Sequence, residues 1–82
     1  MKNFHYVYIL KSEKDPEKHY TGLTNELKDR LAYHNSGKCV HTSKYCPWII
    51  ETAIAFRSRQ KAVEFERYLK SHSGRAFAKK RL

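Results

Sequence analysis

The stretch Phe4-His5-Tyr6-Val7-Tyr8-Ile9-Leu10, answered after a polar interval by His19-Tyr20-Thr21-Gly22-Leu23, decides how this chain folds. The first segment is rich in Tyr, Val and Ile and holds neither Gly nor Pro, which predicts a strand. Tyr6, Tyr8 and Leu10 fall on one alternating face, Val7 and Ile9 on the other. Both faces are apolar, so the strand is expected to be covered on both sides. Residues 12–17 are polar and carry Asp15-Pro16, a turn signal. The second segment is then the return strand of a hairpin. Gly22 inside so short a strand marks a place where a backbone or ligand approaches closely.

Outward from the hairpin, Thr24 or Asn25 is placed to cap a helix whose first turns carry Glu26 and Asp29. Leu27 and Leu31, four apart, form its inner stripe. The helix is expected to end before Ser36-Gly37, where glycine supplies the usual exit. A basic polar loop follows over residues 38–45. Pro47 then opens an apolar run, Trp48 to Phe56, that reads as a third strand. Ser58 is the expected N-cap of a second helix, with Ala62, Phe65 and Leu69 as its apolar stripe. Ser73-Gly74 is expected to break that helix, leaving residues 75–82 as a basic tail of one or two helical turns. There is no internal repeat and no low-complexity tract. The order β-β-α-β-α-(α) predicts an α/β fold: a three-stranded, at least partly antiparallel sheet with helices packed on it. The expectation is one domain over residues 1–82.

Composition bounds the partners. With 82 residues, 40% hydrophobic and 13% aromatic, the chain can fill one core and no second one. Lys and Arg number 17 against 8 Asp and Glu, a formal charge of +9. Such an excess on a small surface favours a polyanion. An anionic membrane surface is the competing partner, but the basic residues are interleaved with Tyr, Phe and His instead of gathering on one amphipathic helix. No apolar run is long enough for a membrane span. Met1-Lys2-Asn3-Phe4-His5 carries no signal-peptide core, so the expected location is the cytoplasm, with Cys39 and Cys46 as reduced thiols.

Few residues can carry chemistry. Tyr8 and Tyr20 would point two phenols at one patch if the hairpin brings them together; the alternative is two half-buried sheet tyrosines. Arg30 and His34, four apart, share one helix face at the edge of the buried stripe, where a cation and an imidazole can grip a phosphate. The alternative is a solvated face with Arg30 paired to Glu26. Glu66 follows Phe65 at the edge of the second stripe and offers a hard oxygen donor for a divalent metal. Its alternative is an i, i+4 pair with Lys70; Glu64, on the more exposed side, is the competing carboxylate. Cys39, His41 and Cys46 with His34 supply four possible zinc donors in one region, at a spacing that matches no standard pair of knuckles. Reduced structural cysteines are the alternative.

Taken in order, Tyr6-Val7-Tyr8 and Tyr20-Thr21-Gly22, then Arg30-Leu31-Ala32-Tyr33-His34, then Ala62-Val63-Glu64-Phe65-Glu66 resemble the GIY-YIG nuclease family. The chain looks most like its small stand-alone bacterial members, distant relatives of the N-terminal nuclease domain of the excision-repair endonuclease. The resemblance covers essentially the whole chain. It implies a three-stranded antiparallel sheet flanked by helices, and hydrolysis of phosphodiester bonds in DNA, in repair or processing, with one Mg²⁺ or Mn²⁺ ion. Tyr8 takes the place of the first motif's tyrosine and Tyr20 that of the second's, and one of them would activate or orient the attacking water. Arg30 would stabilise the pentacovalent phosphate, His34 would assist in proton handling, and Glu66 would hold the metal.

There are departures. Tyr6 stands where the first motif has glycine, and Thr21 where the second has isoleucine. Some family nucleases carry a further histidine after the first helix, for which His41 is the candidate. They also carry an asparagine well after the glutamate, which has no match near the C-terminus here. A tyrosine titrates ordinarily near pH 10, so one acting as a base needs a cation nearby; Arg30 and a metal on Glu66 would supply it. The competing reading is a basic nucleic-acid-binding module that cuts poorly or not at all. A third is an adaptor in a larger complex. A protein partner for targeting is compatible with so small a domain, and the oligomeric state stays open. The nuclease reading requires Tyr8, Tyr20, Arg30, His34 and Glu66 to share one surface.

Overall fold

A computed structural model describes residues 3–82; the reading of Met1 and Lys2 as free of a leader lies outside them. The elements are β1 (His5–Ser12), β2 (His19–Thr24), α1 (Leu27–Asn35), a 3₁₀ turn (Ser43–Tyr45), β3 (Trp48–Phe56), α2 (Arg59–Lys70) and α3 (His72–Arg81). The sheet order is β2-β1-β3 with both pairings antiparallel, as the strand pattern and the resemblance implied.

β1 is central and its alternation sorts the core into two layers. Val7 and Ile9 pack with Ala62 and Leu69 of α2, joined by Leu23, Phe56, Phe65 and Ala78. Tyr8 and Leu10 pack on the opposite side with Trp48, joined by Leu27 and Leu31 of α1 and by Tyr20, Tyr45 and Ile50. Leu10 is wholly buried, and burying a side chain of that size contributes roughly 1.5–3 kcal/mol. In the β1–β2 register Tyr8 faces Gly22 and Leu10 faces Tyr20. Against β3 the register shifts between Ile9 and Leu10, which leaves Glu51 as the extra residue of a bulge.

Three boundaries differ from expectation. First, the N-cap position of α1 is Glu26, with no side-chain cap. Thr24 Oγ1 instead accepts the Glu26 N–H at 3.1 Å, closing a turn at the end of β2. Second, α2 stops at Lys70, short of Ser73-Gly74. Ser71 is extended and its Oγ accepts the Gly74 N–H at 3.1 Å, so it caps α3. Gly74 lies inside α3, where a Cβ would run into the Tyr68 carbonyl; its glycine permits the tight fold-back onto the end of α2. Third, the expected short tail is a ten-residue helix. Ser58 caps α2 through the Lys61 N–H, and Gly37, at φ +81°, provides the exit from α1.

A buried serine organises the hairpin loop. Ser12 Oγ donates to the Tyr45 carbonyl at 2.6 Å and accepts the N–H groups of Lys14 and Asp15. This ties the β1–β2 turn to the segment leading into β3. Among the described residues no helix is long and apolar enough to cross a membrane.

Candidate active site

The site begins at the Tyr8–Gly22 pair. A Cβ at position 22 would fall on the Tyr8 hydroxyl, so the glycine makes room for the phenol to lie across the edge strand. This is the close approach that a glycine within a short strand signals. Tyr20 follows on the same face, its ring 6.4 Å from that of Tyr8. From the last turn of α1, His34 brings its ring to 4.7 Å from Tyr20 and 6.1 Å from Tyr8.

His34 is not at the edge of the buried surface, as its spacing suggested, but inside it, 1% exposed. Both ring nitrogens have partners there, which makes burial of a polar ring tolerable. Nε2 shares a hydrogen bond with Tyr8 Oη at 3.0 Å, and Nδ1 one with Thr42 Oγ1 at 2.9 Å. Thr42 is itself fully buried, and its carbonyl accepts the Trp48 indole N–H at 2.9 Å. Asn35 completes the anchorage: its Nδ2 donates to the Trp48 carbonyl, and its Oδ1 accepts the Trp48 N–H.

Burial holds both central groups neutral. It pushes the Tyr8 phenol far above the ordinary tyrosine range; Tyr20 and Glu66 add to the effect and Arg30 offsets only part of it. Burial, then the Arg30 charge, lowers His34 below its ordinary value. At neutral pH the pair is therefore a phenol and an imidazole with one N–H and one acceptor nitrogen, both engaged.

Arg30 is exposed. The pair with Glu26 does not form, and among the described residues no carboxylate neutralises Arg30. Its guanidinium instead lies 5.5 Å over the Tyr33 ring. Glu66, half-buried on α2, does make the i, i+4 pair: Lys70 Nζ is 3.0 Å from its Oε2. It makes no hydrogen bond or ion pair to the other four candidates among the described residues, yet its charge is felt at Tyr8. Tyr8 leans over β2, and α2 also packs on β2, which brings a carboxylate of the other layer within electrostatic reach. Glu64 is exposed, 3.4 Å from Gln60 Nε2.

The loop after α1 holds the residue that sequence reasoning missed. His41 is exposed, and its neighbour Thr42 turns inward to the imidazole. Nothing in the composition of the loop distinguished the two. The zinc set is not assembled: among the described residues no three His, Cys, Asp or Glu side chains gather as a metal cluster. The nitrogens of His34 are already engaged, the Cys46 thiol donates to the Ser43 carbonyl, and both cysteines are free.

A hairpin of paired tyrosines, backed by a histidine and flanked by a free arginine, matches one class of catalytic domain. A GIY-YIG catalytic domain is recognised over residues 4–81, and the chain belongs to the GIY-YIG family. Membership carries nuclease-like activity, and nucleases of this family generally depend on a divalent metal. Its relatives include a UPF0213 protein of Bacillus licheniformis, 36% identical over 72 residues, 87% of this chain and 72% of the relative. Another, of Staphylococcus haemolyticus, is 34% identical over 70 residues, 84% of this chain and 83% of the relative. The solution NMR structure of a UPF0213 protein from Bacillus halodurans superposes with a TM-score of 0.56 at 31% identity, covering 93% of this chain and 80% of that one. It shares the three-stranded antiparallel architecture described above.

Proposed function

We propose that the chain is a divalent-metal-dependent endonuclease that hydrolyses phosphodiester bonds in DNA. Its single domain, residues 1–82, acts in the cytoplasm, in repair or processing. The observation that carries this reading is the buried Tyr8–His34–Thr42 hydrogen-bonded chain standing directly behind Tyr20.

The candidates divide by exposure. Tyr8, His34 and Thr42 are buried; Tyr20 and Glu66 are half-buried and Arg30 is exposed. The more exposed group is the one a substrate reaches. Burial raises the Tyr8 pKa, which favours the phenol as a hydrogen-bond donor over a role as base. It donates to His34 Nε2 in the tautomer whose Nδ1–H donates to Thr42, and so fixes the ring against which Tyr20 rests. Tyr20 is then the phenol that orients the attacking water, its oxygen accepting a hydrogen bond from it. Arg30, always charged and in no ion pair among the described residues, meets the negative charge of the pentacovalent phosphate.

The donor chemistry at Glu66 fits one Mg²⁺ or Mn²⁺ ion. These are hard cations that take one or two carboxylates and fill the remaining positions with water and phosphate oxygen. Oε2 is turned to Lys70, and Oε1 has no protein partner among the described residues. When bound, such an ion supplies charge neutralisation at the phosphate and acidifies water.

The test is incubation with single-stranded, nicked and branched DNA, with and without Mg²⁺ or Mn²⁺. Metal-dependent nicking that Glu66→Ala eliminates, with the circular dichroism spectrum kept, is the expected outcome. Undiminished cutting by Glu66→Ala overturns the assignment. The charge of +9 favours a second reading, a nucleic-acid-binding module; binding that falls steeply with salt and never cuts would select it. Target choice then rests on nucleic-acid structure or on a protein partner.

A further inference from the structure

Tyr33 follows the same helix as His34 but points outward, 41% exposed. Its ring meets the His34 ring edge-on at 5.7 Å, and the Arg30 guanidinium stands over it. The ring contacts therefore run from buried Tyr8 and His34 through half-buried Tyr20 to Tyr33, whose ring reaches water. In the loop after α1, Val40 is 84% exposed, the most exposed large hydrophobic among the described residues. The turn that presents it is well tied. The N–H groups of Thr42 and Ser43 donate to the Cys39 carbonyl at 3.1 and 2.9 Å, and the Thr42 side chain is bound to His34. The Cys39 thiol is held below its ordinary pKa first by the Thr42 side chain, then by backbone amides of His41 and Thr42 and by the Tyr33 side chain. The turn that carries Val40 is thus tied to His34, whose ring Tyr33 meets on the outer side of α1. Lys38, His41 and Lys44 are exposed on the same loop, and Arg30 on the helix before it.

We propose that Tyr33 and Val40 hold an unstacked nucleotide beside the scissile phosphate, so that the substrate of this site is DNA with single-stranded nucleotides at the cut. This rests on the assignment of the site as a nuclease centre. A continuous duplex presents phosphates and groove edges, for which cations alone suffice. An aromatic face and an apolar tip left in water gain contact only when a base leaves its stack. Stacking on an aromatic ring is tolerant of base identity, and apolar side chains are the wedges that enter opened base steps. Such an apolar pair set among cations fits the base and the backbone of a single strand together.

The test reads binding, not cutting. The chain is titrated, without added divalent metal, into single-stranded DNA carrying 2-aminopurine and into the matching duplex. The wild type is expected to quench the single strand, and Tyr33→Phe to keep that quenching. Tyr33→Leu is expected to lose it and to weaken single-strand binding about 5- to 100-fold, with duplex binding unchanged. Val40→Ser is expected to weaken single-strand binding alone, to a smaller degree. Absence of quenching by the wild type overturns the proposal, as does Tyr33→Leu weakening both forms alike. If quenching is absent while Glu66-dependent nicking persists, the grip is wrong and the nuclease assignment stands. Quenching that depends on Tyr33 with no cutting under any metal sinks the nuclease assignment and leaves the single-strand grip in place.

Discussion

The two faces of β1 are buried with opposite chemistry. Toward α2 the buried members are Val7, Ile9, Ala62 and Leu69, with no polar side chain among them. Toward α1 lie Tyr8, Leu10 and Trp48 together with the three buried polar side chains among the described residues, Ser12, His34 and Thr42, each hydrogen-bonded. An apolar layer asks only that volume be filled. A buried polar layer holds a unique geometry, but only while every partner is present. One strand, by alternating, gives stability to one side and a positioned site to the other.

This division can be broken in four ways. The largest effect is expected for Tyr20→Phe, which keeps the ring and deletes one oxygen. Nicking should fall by about 100-fold or more while the thermal midpoint stays put, and a midpoint that drops with activity would make Tyr20 a packing residue. Next, Leu69→Ala on the apolar face should cost about 2–5 kcal/mol in urea unfolding, with the rate per folded molecule unchanged. A lowered rate in the folded fraction would show that the layers are coupled. Third, Thr42→Val keeps the shape but strands a buried ring nitrogen, at a cost of about 1–3 kcal/mol. The ¹⁵N shifts of His34 should report a changed tautomer, restored in Thr42→Ser; identical shifts in all three proteins would remove Thr42 from the site.

The smallest effect concerns pH. The folded state lowers the His34 pKa, first through burial and then through Arg30. The unfolded chain takes up this proton first as pH falls through about 6.5. The contribution is therefore complete above that value and is lost as pH drops toward the depressed folded pKa. His34→Gln should flatten this part of the urea-midpoint profile; an unchanged slope would place the acid loss elsewhere.

Much of the apolar face was legible, because the alternation of β1 and the Ala62, Phe65 and Leu69 stripe record burial directly in the sequence. The polar face was legible only in its membership. Spacing put Arg30 and His34 on one helix face, but the depth of His34 depends on a loop closing over it, and no local pattern tells Thr42 from His41. The motifs made Tyr8 and Tyr20 look equivalent; the register against Gly22 buries one and leaves the other open. Helix spacing offers Glu26 only as the alternative partner of Arg30, and the ring of Tyr33 takes the guanidinium instead. Gly74 reads locally as a helix breaker, since nothing in its neighbourhood reveals that a carbonyl from the preceding helix presses against it.

The pairing of Tyr8 with Gly22 also fixes when the site comes into being. The phenol finds its place only once β2 has zipped onto β1, and the imidazole finds the phenol only once the first helix has docked. A nascent or partly opened chain carries the same side chains as unconnected parts. Folding itself is the safety catch: whatever chemistry these groups perform is withheld from the cell until the hairpin has closed in the right register.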